Sequence, residues 1–177
     1  MNKEQKSVAY HEAAHAVAYF EMGRRIRKVT IVPSGDYQGC CFGYSSKIPR
    51  LDTTEITPRL RERVEWEIIL YFVGSLAEKR FLGKHPTGWT KISDTHVAID
   101  LALYLTGSEK ELNAYLNWLY VRAEGFVYTC DWRWNAIQAI AQALLEKKTL
   151  TGEEAYAIWR SVKYEKLLKP GTSKETT

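Results

Sequence analysis

Residues 9–20 read Ala-Tyr-His-Glu-Ala-Ala-His-Ala-Val-Ala-Tyr-Phe, and no other stretch constrains the fold as much. Five alanines in twelve residues favour helix strongly and keep the rod thin, so that neighbouring elements can approach its backbone. Ala9, Ala13, Ala16, Val17 and Phe20 recur at helical spacing, which predicts a helix from Lys3 to Met22, ended by Gly23. His11 and His15 stand four residues apart and therefore share one face, one turn apart. A buried helix with two imidazoles and a carboxylate is costly unless those groups find partners. The rest of the chain must close around this helix and supply them.

The remaining elements follow from turn and cap chemistry. Lys28–Pro33 and Gly39–Ser45 are β-rich, and Ser34-Gly35-Asp36 between them predicts an antiparallel hairpin. A polar connector runs from Ser46 to Glu55. Thr57-Pro58 is a capping hydroxyl followed by proline at the first helical position. Leu60, Val64, Ile68, Tyr71, Phe72 and Leu76 carry the apolar face of that helix to Gly83. Lys84–Ile92 reads as a loop, and Ser93 as the cap of a third helix reaching Thr106. Ser108-x-x-Glu111 and Thr151-x-x-Glu154 are capping boxes for two more, with a further helix over Trp132–Lys148. The expected fold class is mostly α with a small antiparallel β-hairpin or sheet (α+β). One domain spans residues 1–168, followed by a flexible polar tail over 169–177.

Composition excludes several classes of function. Twenty-five Lys and Arg against 21 Asp and Glu leave a net charge of +4, with the basic residues scattered among acids. That pattern has no nucleic-acid stripe. The most apolar window, Ile68–Ala77, is half the length a membrane span needs, and no signal peptide is legible. Three cysteines, with Cys40 and Cys41 adjacent and Cys130 distant, provide neither a disulfide framework nor a paired zinc motif. A soluble protein of a reducing, cytoplasmic compartment is expected.

The chemistry lies in His11-Glu12-x-x-His15. Both imidazoles can reach one metal ion, and Glu12 is offset around the helix, suited to hold a water beside that ion. Zinc lowers the pKa of such a water to about 7, and a neighbouring carboxylate can take its proton as it attacks a carbonyl. Half of the four histidines fall in this five-residue window. Catalytic zinc usually has three protein ligands. His85, His96, Glu78, Asp94 and Asp100 are the candidates for the third, and spacing leaves Asp94 and Glu78 even.

These residues resemble the peptidase domain of the FtsH-type, membrane-anchored AAA+ zinc proteases. Ala9-Tyr10-His-Glu-Ala-Ala-His15 is similar to that family's Tyr-His-Glu-Ala-Gly-His, with Ala14 replacing a glycine. Lys28-Val-Thr-Ile-Val-Pro33 and Gly43-Tyr44 resemble its strand segments. Val73-Gly-Ser-Leu-Ala-Glu78 resembles Gly-Gly-Arg-Ala-Ala-Glu, while Thr87-Gly88 and Ser93-Asp94 resemble Thr-Gly-Ala-Ser-Asn-Asp with a longer loop between. Leu144–Glu154 is similar to the family's late Leu-x-Glu-Lys-Glu-Thr-Leu-x-Gly-Glu-Glu. The resemblance covers residues 8–106 and 137–159 and implies an FtsH-like zincin fold. It implies zinc ligands His11, His15 and Asp94, Glu12 as general base, and Glu78 as a packing carboxylate or a support for the ligands. It further implies that a strand beside the site aligns extended substrate, and Val29–Val32 is the candidate run.

No ATPase module accompanies the motif: the one Gly-Lys pair, Gly83-Lys84, has Glu78 where a phosphate loop needs its first glycine. The expectation is therefore an ATP-independent zinc metalloendopeptidase that hydrolyses unfolded or extended polypeptides. The alternative is a zinc-containing protein of the same fold that binds peptides or a partner without cutting. The family's peptidase domains form hexamers partly held by the motor, which leaves a homo-oligomer and a separate ATPase partner open.

Overall fold

A computed structural model describes residues 2–35, 37–44, 56–84 and 90–168, with the side chains of 90–93 and 166–168 left aside. The Ser46–Glu55 connector, Asp36 of the hairpin turn, His85, Thr87-Gly88 and the tail from Lys169 lie outside the described residues. Six helices and three strands follow in the order α1 (Lys3–Glu21), β1 (Ile26–Thr30), β2 (Cys40–Gly43), α2 (Pro58–Leu82), α3 (Thr90–Leu103), α4 (Glu109–Tyr128), α5 (Asp131–Lys147), β3 (Thr149–Thr151) and α6 (Gly152–Leu168). The architecture is the mostly helical domain with one small antiparallel sheet that the patterning predicts.

Local chemistry explains most of the boundaries. Asn2 caps α1 by accepting from the Gln5 amide, and Thr57 caps α2 by accepting from the Leu60 amide. The Thr151 box closes reciprocally: the Glu154 amide donates to Thr151 Oγ1, and the Thr151 amide donates to Glu154 Oε2. The Ser108 box closes differently. Ser108 accepts from the Glu111 amide, but the Glu111 carboxylate reaches one residue further back, to the Gly107 amide. Helix α3 begins at Thr90, three residues before the Ser93 start that the sequence suggests.

Helix α1 is the hub. It packs most extensively on α2 and α5, and it also touches β1, β2 and α6. Ala9, Ala13, Ala14, Ala16 and Val17 are completely buried, the outcome expected for a thin helix enclosed by several neighbours. Val64, Ile68, Val73 and Leu76 of α2, together with Ile137, Ile140 and Leu144 of α5, fill the space around it.

The sheet order is β2-β1-β3, with both pairings antiparallel. β1 is thus the central strand. Val29 pairs with Cys41 on one side and Leu150 on the other, and the Ile31 amide donates to the Lys148 carbonyl. This corrects the first half of the Val29–Val32 run expected to align substrate: Val29 and Thr30 are paired on both sides, while Ile31 and Val32 lie beyond the pairing with β2. Among the described residues, β2 and β3 are the two outer strands of the sheet, and β2 is the one that starts beside the Glu12 stem. No helix among them is long and apolar enough to cross a membrane.

Candidate metal centre

His11, Glu12 and His15 are all buried, at 5%, 6% and 9% exposure, and the two histidines face Gly74 of α2. Burial of three ionisable groups in one turn makes their partners decisive. His15 Nε2 lies 2.9 Å from His11 Nε2. From the start of α3, Asp94 brings Oδ2 to 3.2 Å from His11 Nε2 and 3.5 Å from His15 Nε2. Three electron-rich atoms from two helices therefore form one small triangle. Each imidazole nitrogen carries at most one proton, so a single N–H cannot satisfy the whole triangle. A cation can. Two imidazoles and a carboxylate at this spacing fit an ion bound at about 2 Å from each donor, and nitrogen with oxygen is a donor set zinc accepts.

The glycine at position 74 makes the convergence sterically feasible. A Cβ there would stand 2.6 Å from His11 Nε2 and 2.7 Å from His15 Nε2. The two imidazole tips lie against bare backbone of α2. Glycine inside a 25-residue helix lowers helix propensity, and that cost was the available sign of a close approach. Sequence reasoning did not single it out.

One turn further along α2, Glu78 places Oε1 2.9 Å from His11 Nδ1, without the alignment of a straight hydrogen bond. It is 4% exposed and supports the ring from the side opposite the triangle. Of the two carboxylates that spacing left even, Asp94 joins the two Nε2 atoms and Glu78 stands behind one ring. His96 and Asp100 are exposed on α3, and among the described residues the cluster consists of His11, His15 and Asp94.

Electrostatics follow from this packing. Burial alone would lower the His11 pKa, but the Asp94 and Glu78 carboxylates, with the charge of Glu12, outweigh it and raise the value from 6.5 to about 10. Burial likewise pushes Asp94 up, yet the two imidazoles more than offset it and hold its carboxyl well below the usual range. For Glu12, burial dominates and raises the pKa, against the lowering effect of His11 and His15. A carboxylate whose pKa is raised holds a proton more readily, which suits it to proton exchange. Its stem lies beside the start of β2, where a Cβ on Gly39 would be 2.9 Å from Glu12 Cγ.

The family model for peptidase family M41 matches residues 1–104, which contain the entire cluster. The chain belongs to peptidase family M41. Its relatives in that family include the ATP-dependent zinc metalloprotease FtsH of Rickettsia typhi, 32% identical over 102 residues that make up 56% of this chain and 15% of that protein. FtsH 2 of Thermoanaerobacter is 26% identical over 182 residues, covering 90% of this chain and 33% of the relative. FtsH of Haemophilus influenzae is 25% identical over 167 residues, 92% and 23% respectively. The chain thus spans a third or less of the length of these relatives. The M41 match ends where α3 ends, while the two longer alignments cover nine-tenths of the chain and so extend into its later helices.

Proposed function

We propose that this chain is a zinc metallopeptidase domain that hydrolyses peptide bonds in unfolded or extended polypeptides, with no ATP hydrolysis of its own. The observation that carries the reading is the meeting of His11 Nε2, His15 Nε2 and Asp94 Oδ2 within one ligand-sized triangle, with a buried carboxylate one residue away in sequence. The three side chains would hold zinc. When bound, zinc supplies a Lewis acid that polarises a carbonyl and lowers the pKa of water. Glu12 then receives the proton of the attacking water and passes it to the departing amine, a task helped by its raised pKa. Glu78 keeps the His11 ring oriented so that Nε2 faces the triangle.

The free edge of β2 supports an extended substrate. It starts at Cys40, beside Gly39 and the Glu12 stem, and the Cys40 thiol feels the charges of both Glu12 and Asp94. A peptide that adds to this edge gains main-chain hydrogen bonds and is led toward the triangle. Most strands of a folded substrate are already paired with their own neighbours, and for this reason the reading favours unfolded chains.

Glu12→Gln tests the mechanism. The variant should bind zinc as the parent does and lose hydrolysis of a quenched peptide by at least about a hundredfold. Retained cleavage rules out the mechanism. Zinc binding with no cleavage by the parent protein instead favours the non-cleaving, peptide-binding alternative.

A further inference from the structure

We propose that the solvent face of the sheet, where Arg27 and Lys28 lie over Phe42 and Tyr44, selects acidic side chains of an extended substrate. This deepens the peptidase reading and rests on the β2 edge being where substrate adds. The decisive feature is a bulge. Ile26 is opposite Gly43 and Lys28 is opposite Phe42, so Arg27 is an extra residue with no partner on β2. In a regular strand Arg27 and Lys28 would point to opposite faces. Here both are exposed, while Ile26 before them and Val29 after them are buried. The bulge re-aims one side chain, a role bulges commonly serve beside functional sites.

Both cations then reach sideways across the edge strand. Phe42 and Tyr44 are two residues apart, share a face, and are 42% and 56% exposed. The Tyr44 amide still donates to the Arg25 carbonyl, so the pairing continues past Gly43. The Lys28 ammonium lies 4.9 Å from the centroid of the Phe42 ring, and the Arg27 guanidinium lies 5.3 Å from that of Tyr44. Neither cation has an acidic partner among the described residues. Two charges with no ion-pair partner among the described residues are therefore carried from the central strand over the rings toward the open edge of β2.

A strand added to β2 would lie about 4.8 Å beyond it, with alternate side chains on this same face. Those beside Phe42 and Tyr44 fall two and four residues from the one beside Cys40, about 7 and 13 Å along the strand. A carboxylate at either position meets a cation already extended toward it, with an aromatic ring displacing part of the screening water. A lysine there meets like charge. Charged residues often serve only to discourage sheet-to-sheet association, but they do so from the edge strand itself. Arg27 and Lys28 belong to the central one.

Fluorescence anisotropy with the 177-residue chain carrying Glu12→Gln provides the test and requires no turnover. Three labelled peptides of equal length carry Glu, Gln or Lys at two alternating positions. The Glu peptide should bind about tenfold more tightly than the Gln peptide and the Lys peptide most weakly, with a preference that shrinks as salt is added. The preference should vanish in Arg27→Gln/Lys28→Gln and invert in Arg27→Glu/Lys28→Glu, each checked for native circular dichroism. Equal affinities, no binding of any peptide, or a Glu preference that survives the Gln pair overturns the proposal. Separate turnover assays keep the two readings apart. If the parent protein cleaves none of the peptides while the Glu preference stands, the peptidase reading fails alone. If it cleaves all three equally, selection by Arg27 and Lys28 fails alone.

Discussion

A single hydrogen at position 74 separates a backbone from two imidazole tips, and its replacement isolates the site from the fold. In Gly74→Ala the new methyl would press on His11 and His15 Nε2, the movable ends of their side chains, while the helix itself gains propensity. The expected result is a protein that melts at the parent temperature or slightly higher but retains little zinc after dialysis. Paired thermal unfolding and metal analysis check this, and full zinc occupancy would show that the triangle tolerates displacement. At this scale the sequence was informative about His11, Glu12 and His15, because helical spacing alone puts both histidines on one face. It could not separate Asp94 from Glu78. Both lie far along the chain, and only the crossing of α2 and α3 against α1 brings one carboxylate to the Nε2 atoms and the other to Nδ1.

At the scale of elements, caps were legible and the sheet was only half so. Hydroxyl and glutamate at fixed offsets mark helix starts through local hydrogen bonds, and the Thr57 and Thr151 signals correspond to observed caps. β3 was missed. Its three residues overlap the Thr151 capping box, and nothing in Thr149-Leu-Thr151 signals a strand until Leu150 is placed opposite Val29. That missing strand moved β1 from the edge to the centre of the sheet and left β2 and β3 as its outer strands. The junction of β3 and α6 is also close: a Cβ on Gly152 would be 1.8 Å from the Ile26 carbonyl oxygen, the shortest such distance at any described glycine. Backbone cannot yield as a side-chain tip does. Gly152→Ala should therefore destabilise the protein by about 2 kcal/mol or more, seen as an earlier urea midpoint at unchanged slope. A parent-like midpoint would mean that α6 can shift off the sheet at no cost.

For the whole molecule, the cluster couples folding, protons and metal. Without metal, His11 has a folded pKa of about 10 against 6.5 unfolded, so its contribution to stability is complete below pH 6.5 and is lost as pH rises toward 10. Asp94, held below its ordinary 3.8, contributes above that value and loses its effect as pH falls through the acid range. Zinc-free protein should accordingly be most stable between about pH 4 and 6.5 and should melt at lower temperature at pH 9 than at pH 6. Zinc needs neutral imidazole nitrogens, so binding must expel the proton that His11 holds. Calorimetric titration at pH 7.5 in buffers of different ionisation enthalpy should show proton release, and saturating zinc should raise the melting temperature most at alkaline pH. Zinc binding without proton release would contradict the His11 assignment.

By itself the sequence determined what depends on neighbours within one turn: the alanine-thinned helix, the shared face of His11 and His15, and the hydroxyl caps. Tertiary structure decided what depends on distant segments meeting. It brought Asp94 to the triangle and Glu78 to the ring behind it, packed the two imidazole tips against Gly74 and the Ile26 carbonyl against Gly152, put β1 at the centre of the sheet with β2 outside it, and turned Arg27 to the same face as Lys28. The physical reason is range. Helical periodicity and capping are set by bonds three and four residues long, whereas ligand choice, close approach and strand order arise only when elements 60 to 120 residues apart compete for the same space.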